Sequence, residues 1–205
     1  MCEYEWWNLA IQIVAAILTM AIIALAIWGD SVRHKIIGPK LNVSLFDDCA
    51  IQTTLENGLK GYYYKLLIAN QRRWATATNA RVQIRKVYVS TTGEDYHNVS
   101  FSGPLQLTWQ WTKPEYRTIG PDEICTFLHF NEGDNPTIST YFNSNNFDPV
   151  IKGREHTILE VVAVADNTDS DITYVKIFWD GIWSPDVQEM KRHLEISIVT
   201  KPKVA

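Results

Sequence analysis

Leu105-Gln106-Leu107-Thr108-Trp109-Gln110-Trp111-Thr112 alternates apolar and polar residues without a break. Successive side chains of a strand point to opposite faces, so this spacing predicts one half-buried strand with Leu105, Leu107, Trp109 and Trp111 inward. Leu194, Ile196 and Ile198 alternate with His193, Glu195 and Ser197 in the same way. Further strands are expected at 41–46, 62–70, 80–89, 124–130, 157–165 and 173–179. Within 80–89, Val82 and Ile84 stand in one phase and Val87 and Val89 in the other, which a bulge near Lys86 explains. Val161, Val162, Ala163 and Val164 leave no polar face, so their strand should be central. Turn signals separate these runs: Gly58, Gly93-Glu94-Asp95, Gly103-Pro104, Gly120-Pro121, Asp166 to Asp171 and Asp180-Gly181. Helical period is confined to about two turns at 186–192. Short strands at this spacing predict a mainly β domain over 41–205, an immunoglobulin-like antiparallel β-sandwich.

One N-terminal segment is of another kind. Leu9 to Trp28 (LAIQIVAAILTMAIIALAIW) carries no charged residue, and as a helix it covers about 30 Å, the thickness of a bilayer's hydrocarbon core. Trp6, Trp7 and Trp28 flank it, where indole rings favour the headgroup level. The chain therefore divides into a tail (1–8), a transmembrane helix (9–28), a juxtamembrane linker (29–40) that Gly38-Pro39 closes, and the sandwich (41–205). The tail holds Glu3 and Glu5 and no Lys or Arg, whereas Arg33, Lys35 and Lys40 follow the span. Positive flanks stay in the cytosol, so the N-terminus is expected outside and the sandwich inside, at the plasma (inner) membrane of the cell. Ala24-Leu25-Ala26 offers a signal-peptidase site, but the acidic start and the long apolar run fit a signal peptide badly.

The chain holds 19 Lys and Arg against 23 Asp and Glu; Glu3, Glu5 and Asp30 account for three of the acidic residues, so the part after residue 30, with all 19 basic residues against 20 acidic ones, is nearly neutral. Nucleic-acid binding needs basic residues clustered in excess, so no nucleic-acid partner is expected. Cys2, Cys49 and Cys125 make no disulfide framework and suit a reducing compartment. The sequons at Asn42 and Asn98 matter only in a glycosylating pathway.

The segments YYYKLLIANQRRWATATNARVQIRKV, LTWQW followed by TIGPDEIC, and IFWDGIWSPDVQEMKRHLEI resemble stretches of uncharacterised prokaryotic single-pass membrane proteins with a C-terminal immunoglobulin-like domain. The first segment also resembles adhesion-type sandwich domains. The resemblance covers most of residues 36–199; it implies an architecture and transfers no activity or site.

Catalytic chemistry finds little footing. Cys125 and His129 share one expected strand about 13 Å apart, too far for a nucleophile and its base, and Cys49 with His156 is a pairing that only the fold can make. Asp166, Asp169 and Asp171, with Asn167, offer oxygen ligands suited to calcium but lack the EF-hand glycine and distal Glu. His34, His97, His129, His156 and His193 have no zinc spacing, and no cofactor motif occurs.

Three groups point instead to binding. Arg72, Arg73 and Trp74 occupy a turn, where they either meet a partner or lipid headgroups or, for Trp74, cap the core edge. Tyr141, Phe142 and Phe147 lie in the long aperiodic stretch 131–156, as anchors for a partner or as pins for the loop. Gln12, Ala15, Ala16, Thr19 and Ala26 share a face of the span, where small and polar residues favour association of helices in lipid. The reading is a membrane-anchored, non-enzymatic protein-interaction or accessory module with a cytosolic sandwich, a protein partner of unknown identity, and homo-oligomerisation through the span. The alternative is an exported, anchored sandwich that binds carbohydrate or another extracellular ligand, with Trp74, Trp109, Trp111, Trp179 and Trp183 available for stacking.

Overall fold

The structure, a computed structural model, describes residues 2–55, 58–110, 116–142 and 146–204, without the side chains of 2–5, 25, 27, 28, 30–36 and 47–49. Trp111 and the Cys49 side chain thus lie outside the described residues. The chain forms two compact units, Met1–Gly38 and Pro39–Ala205.

The first unit is the helix α1 (Cys2–Ile37), which continues through most of the expected linker and ends at Gly38-Pro39. Its stretch Trp6–Ala24 has a mean hydropathy of 2.0 and no buried residue, and it is long and apolar enough to cross a membrane. Thr19 donates its hydroxyl hydrogen to the Ala15 carbonyl at 2.8 Å.

The second unit is a β-sandwich. Its strands are β1 (Leu41–Thr54), β2 (Lys60–Asn70), β3 (Ala77–Ser90), β4 (His97–Val99), β5 (Leu105–Gln106), β6 (Thr108–Trp109), β7 (Arg117–Ile119), β8 (Asp122–Asn131), β9 (Thr137–Ile138), β10 (Glu155–Ala165), β11 (Thr168–Asp169), β12 (Thr173–Trp179) and β13 (Leu194–Val199), with the short helix α2 (Val187–His193) before the last. One sheet has the order β1-β2-β8-β6 with β9 beside β8; the other runs β13-β12-β10-β3-β4. With β1, β2, β8 and β6 as strands A, B, E and D, and β4, β3, β10 and β12 as C′, C, F and G, this is the immunoglobulin order, extended at one edge by β13. All sheet pairings named here are antiparallel.

Alternation builds the core. Tyr62, Tyr64, Leu66 and Ile68 of β2 face Leu159, Val161 and Ala163 of β10 and Val175, Ile177 and Trp179 of β12 in one buried cluster. β10 is central, as its unbroken apolar run requires, and its other face is covered by a small cluster of Tyr88, Tyr96 and Ile158, with Tyr174 and Val199 packed on it. The expected bulge falls at Arg85, between the pairs Lys86–Glu160 and Ile84–Val161.

The stretch 105–112 departs from expectation. Leu105, Leu107 and Trp109 are all buried, so the phase is right, but the residues do not form one strand. Leu105 and Gln106 pair with β3 in one sheet, whereas Thr108 and Trp109 pair with β8 in the other, and the Leu107 amide still donates to the Val82 carbonyl. The segment crosses between sheets while its apolar side chains stay inside, an edge solution that closes the sandwich.

Candidate functional site

The outer face of the β1-β2-β8-β6 sheet carries a cleft of about 810 Å³. Strand register lays its floor as two rows. In the first, Lys65 of β2 lies opposite Thr126 of β8, which lies opposite Thr108 of β6. In the second, Ile51, Tyr63, His129 and Thr137 are successive neighbours across β1, β2, β8 and β9. Thr126 and His129 are three residues apart, so strict alternation would send them to opposite faces. A bulge at Phe127, between the pairs Lys65–Thr126 and Tyr64–Leu128, brings both outward. The wall comes from the segment after β8, through Thr137 to Thr140 and Pro149.

Lys65 is only 3 % exposed although it points away from the core, and it shares the cleft lining with this wall. Burial pushes its ammonium below the usual lysine range. His129 shares a hydrogen bond between Nδ1 and Ser139 Oγ at 2.7 Å, and its ring stacks on Tyr63 with 6.1 Å between centroids. Burial lowers the His129 pKa and the charge of Asp134 opposes it, so the neutral ring is favoured near pH 7. Lys65 is the one formally charged side chain among the described residues lining the cleft, and no Asp or Glu is among them. The lining thus combines a cation, hydroxyls and an amide with the exposed apolar side chain of Ile51, while Trp109 and Ile138, which border the cleft, belong to the core.

Cys125 and His129 are separated by the sheet itself: Cys125 faces the core, fully buried, with its thiol pushed far up by burial, while His129 faces the cleft. In the Asp166–Asp171 turn, Asp166 accepts from Asn79 Nδ2 at 2.6 Å and Asp169 pairs with Arg85 at 3.8 Å. No metal-holding group of three or more His, Cys, Asp or Glu side chains occurs among the described residues.

The turn 71–76 is clasped by Asn70, itself buried. Its Oδ1 accepts from the amides of Lys40 and Arg72, both at 3.1 Å, and its Nδ2 donates to the Ala75 carbonyl at 2.5 Å. Arg72, Arg73 and Trp74 therefore sit at the end of the sandwich where the chain enters at Lys40. Trp74 is 73 % exposed and does not cap the core edge, which Ala77 and Ile119 close as a fully buried pair between β3 and β7. Tyr141 and Phe142 form an exposed edge-to-face pair, 4.6 Å between centroids. Phe147 leaves the candidate partner surface: it is buried in the core and packs on Phe101 at 5.3 Å. Trp109 and Trp179 are also buried, which withdraws them from stacking on a sugar, and Trp111 lies outside the described residues.

Sequence reasoning missed Lys65, Thr126, His129 and Ser139 as a group. Lys65 was legible only as the outward phase between Tyr64 and Leu66, a position that ordinarily reads as solvated. Comparisons with models of protein families, with curated proteins and with solved structures found no match to this chain.

Proposed function

We propose that the protein is a single-pass, membrane-anchored binding module without catalytic activity, with its sandwich on the cytosolic side of the plasma (inner) membrane. One observation carries the reading: the Trp6–Ala24 stretch of α1 is apolar without a buried residue, and the sandwich forms a compact unit of its own. An apolar helix with nothing of its own fold covering it finds its solvent in lipid. Arg33, Lys35 and Lys40 after the span, against Glu3 and Glu5 before it, support the orientation.

Two exposed groups support a protein partner: Arg72, Arg73 and Trp74 at the chain-entry end, and the Tyr141–Phe142 pair. Arg and large aromatics are the residue types on which binding energy concentrates. The face of Gln12, Ala15, Ala16, Thr19 and Ala26 supports a homo-oligomer in the membrane. Since Thr19 donates its hydroxyl hydrogen within its own helix, Gln12 is the residue to supply an interhelical hydrogen bond there.

A reporter fused after residue 205, together with extraction in mild detergent, tests the proposal. The reporter should read out in the cytosol, and the protein should emerge with a partner or as a defined oligomer. A reporter on the far side would favour the exported reading instead, and a lone monomer would contradict the interaction role.

A further inference from the structure

From the cleft on the outer face of the β1-β2-β8-β6 sheet we infer a binding site for a neutral saccharide, held by the hydroxyl and amide side chains of Thr53, Thr108, Gln110 and Thr126. The site lies wholly within the sandwich, so it goes beyond the anchored-module reading without resting on it or on the side of the membrane.

A sheet face that meets water ordinarily carries charged side chains, whereas this one is concave and lined largely by neutral hydroxyls. The side chains of Thr53, Thr108, Gln110 and Thr126 make no hydrogen bond among the described residues, and none of their polar atoms is sealed from solvent. Each is therefore open to whatever enters the cleft. A hydroxyl both donates and accepts, and a side-chain amide does so through separate atoms, the same dual character that the hydroxyls of a sugar present in return. Charge selects against ions. No Asp or Glu lines the cleft among the described residues, and the Lys65 ammonium already has an interaction of its own, so the lining offers no spare counter-charge. Thr126 and Thr108 are cross-strand neighbours on β8 and β6. Adjacent strands lie about 4.8 Å apart, so two such hydroxyls can meet different hydroxyls of one sugar ring. Ile51, 40 % exposed, and Tyr63 beside it supply apolar surface for the C–H groups of the ring. The hydrogen bond between His129 and Ser139 ties the floor to the wall, and the His129 ring stacks on Tyr63, so the cleft is formed before a ligand arrives. Its volume of about 810 Å³ suits a mono- or disaccharide, since pockets for small molecules span about 300–1,000 Å³.

The experiment uses the full chain in lipid nanodiscs, because many mild detergents carry sugar headgroups that would compete. An array of neutral and acidic glycans is the probe, and the free saccharide of the tightest neutral glycan is then titrated by calorimetry. Saturable binding of a neutral glycan is expected, with competition by its free saccharide and weaker binding of the acidic glycans. Thr126→Val removes one hydroxyl with little change of shape and should weaken the free saccharide by about three- to tenfold, the worth of one hydrogen bond. Thr53→Trp, on the edge strand at the cleft and away from the core, should abolish binding without unfolding the sandwich, and it keeps the test decisive where Thr126→Val does not fold. Absence of neutral-glycan binding, tighter binding of acidic glycans, no competition by the free saccharide, or binding unchanged in either folded variant would overturn the site.

Discussion

The two outer faces of the sandwich each bury a charged side chain, and they treat it in opposite ways. On one face Glu160 of β10 is 5 % exposed beneath tyrosines: the Tyr88 hydroxyl donates to its Oε2 at 3.0 Å, and Tyr174 packs on the cluster that Tyr88 forms with Tyr96 and Ile158. The C-terminal stretch completes the seal through a bridge between Val204 and Tyr96. On the other face Lys65 is equally buried, yet its row opens onto a cleft of about 810 Å³. A buried charge is costly unless hydrogen bonds surround it. The Glu160 carboxylate lies sealed beneath the tyrosines of its own sheet, whereas the row that holds Lys65 borders a cleft, so the first face is structural and the second leaves room beside it.

The largest expected effect separates either face from the core beneath. Leu66 adjoins Lys65 in β2 but points inward and is fully buried, so Leu66→Ala should cost about 2–5 kcal/mol in a denaturant melt. A loss below about 1 kcal/mol would mean that the inward and outward phases of β2 are not as distinct as the register makes them.

Next comes the sealed face. Tyr88→Phe removes the donor to Glu160 and leaves a buried carboxylate oxygen short of a partner, at a cost of about 1–3 kcal/mol. Its pH dependence has a fixed sign. Burial first, then the bond to Glu160 and its charge, push Tyr88 from 10.0 up to about 12. Below pH 10 both folded and unfolded chains hold this proton, and above it the unfolded chain releases it first, so stability should fall between pH 10 and 12. Tyr88→Phe should flatten that part of a stability-against-pH curve. On the open face the sign reverses: His129 is lowered from 6.5, so its contribution is intact above that value and is lost as pH drops below it.

The smallest effect belongs to the cleft floor. Thr126→Val should change stability by no more than about 1 kcal/mol, because the side chain faces the cleft rather than the core. A loss as large as that of Leu66→Ala would make this face structural and erase the contrast.

Particular residues show what the sequence made legible. Period-two spacing placed Leu105, Leu107 and Trp109 inside, because the phase of a strand is local. Which sheet pairs with Gln106 and which with Thr108 is decided by hydrogen-bond partners more than fifteen residues away, and nothing in LQLTWQWT encodes that crossing. The bulge at Arg85 was legible because it shifts the phase of apolar residues on both sides. The bulge at Phe127 was not: Cys125, Phe127, Leu128 and Phe130 are all apolar, so the slip leaves no polar residue out of place. That hidden slip is what turns Thr126 and His129 to one face. Lys65 reads as a solvated strand residue, yet it is 3 % exposed and shares the cleft lining with Thr137 to Thr140 and Pro149, an outcome of tertiary structure. Trp74 reads as a cap on the core, but Ala77 and Ile119 already fill that edge and Trp74 stays exposed.

Hydrogen–deuterium exchange of the full chain in mild detergent, compared between Tyr88→Phe and Thr126→Val, tests most directly whether the sealed face is structural and the open face is not. The account predicts faster exchange around Tyr88, Glu160 and Tyr174 in Tyr88→Phe, and exchange close to that of the parent chain throughout Thr126→Val. Equal acceleration in both variants, or none in Tyr88→Phe, would contradict it.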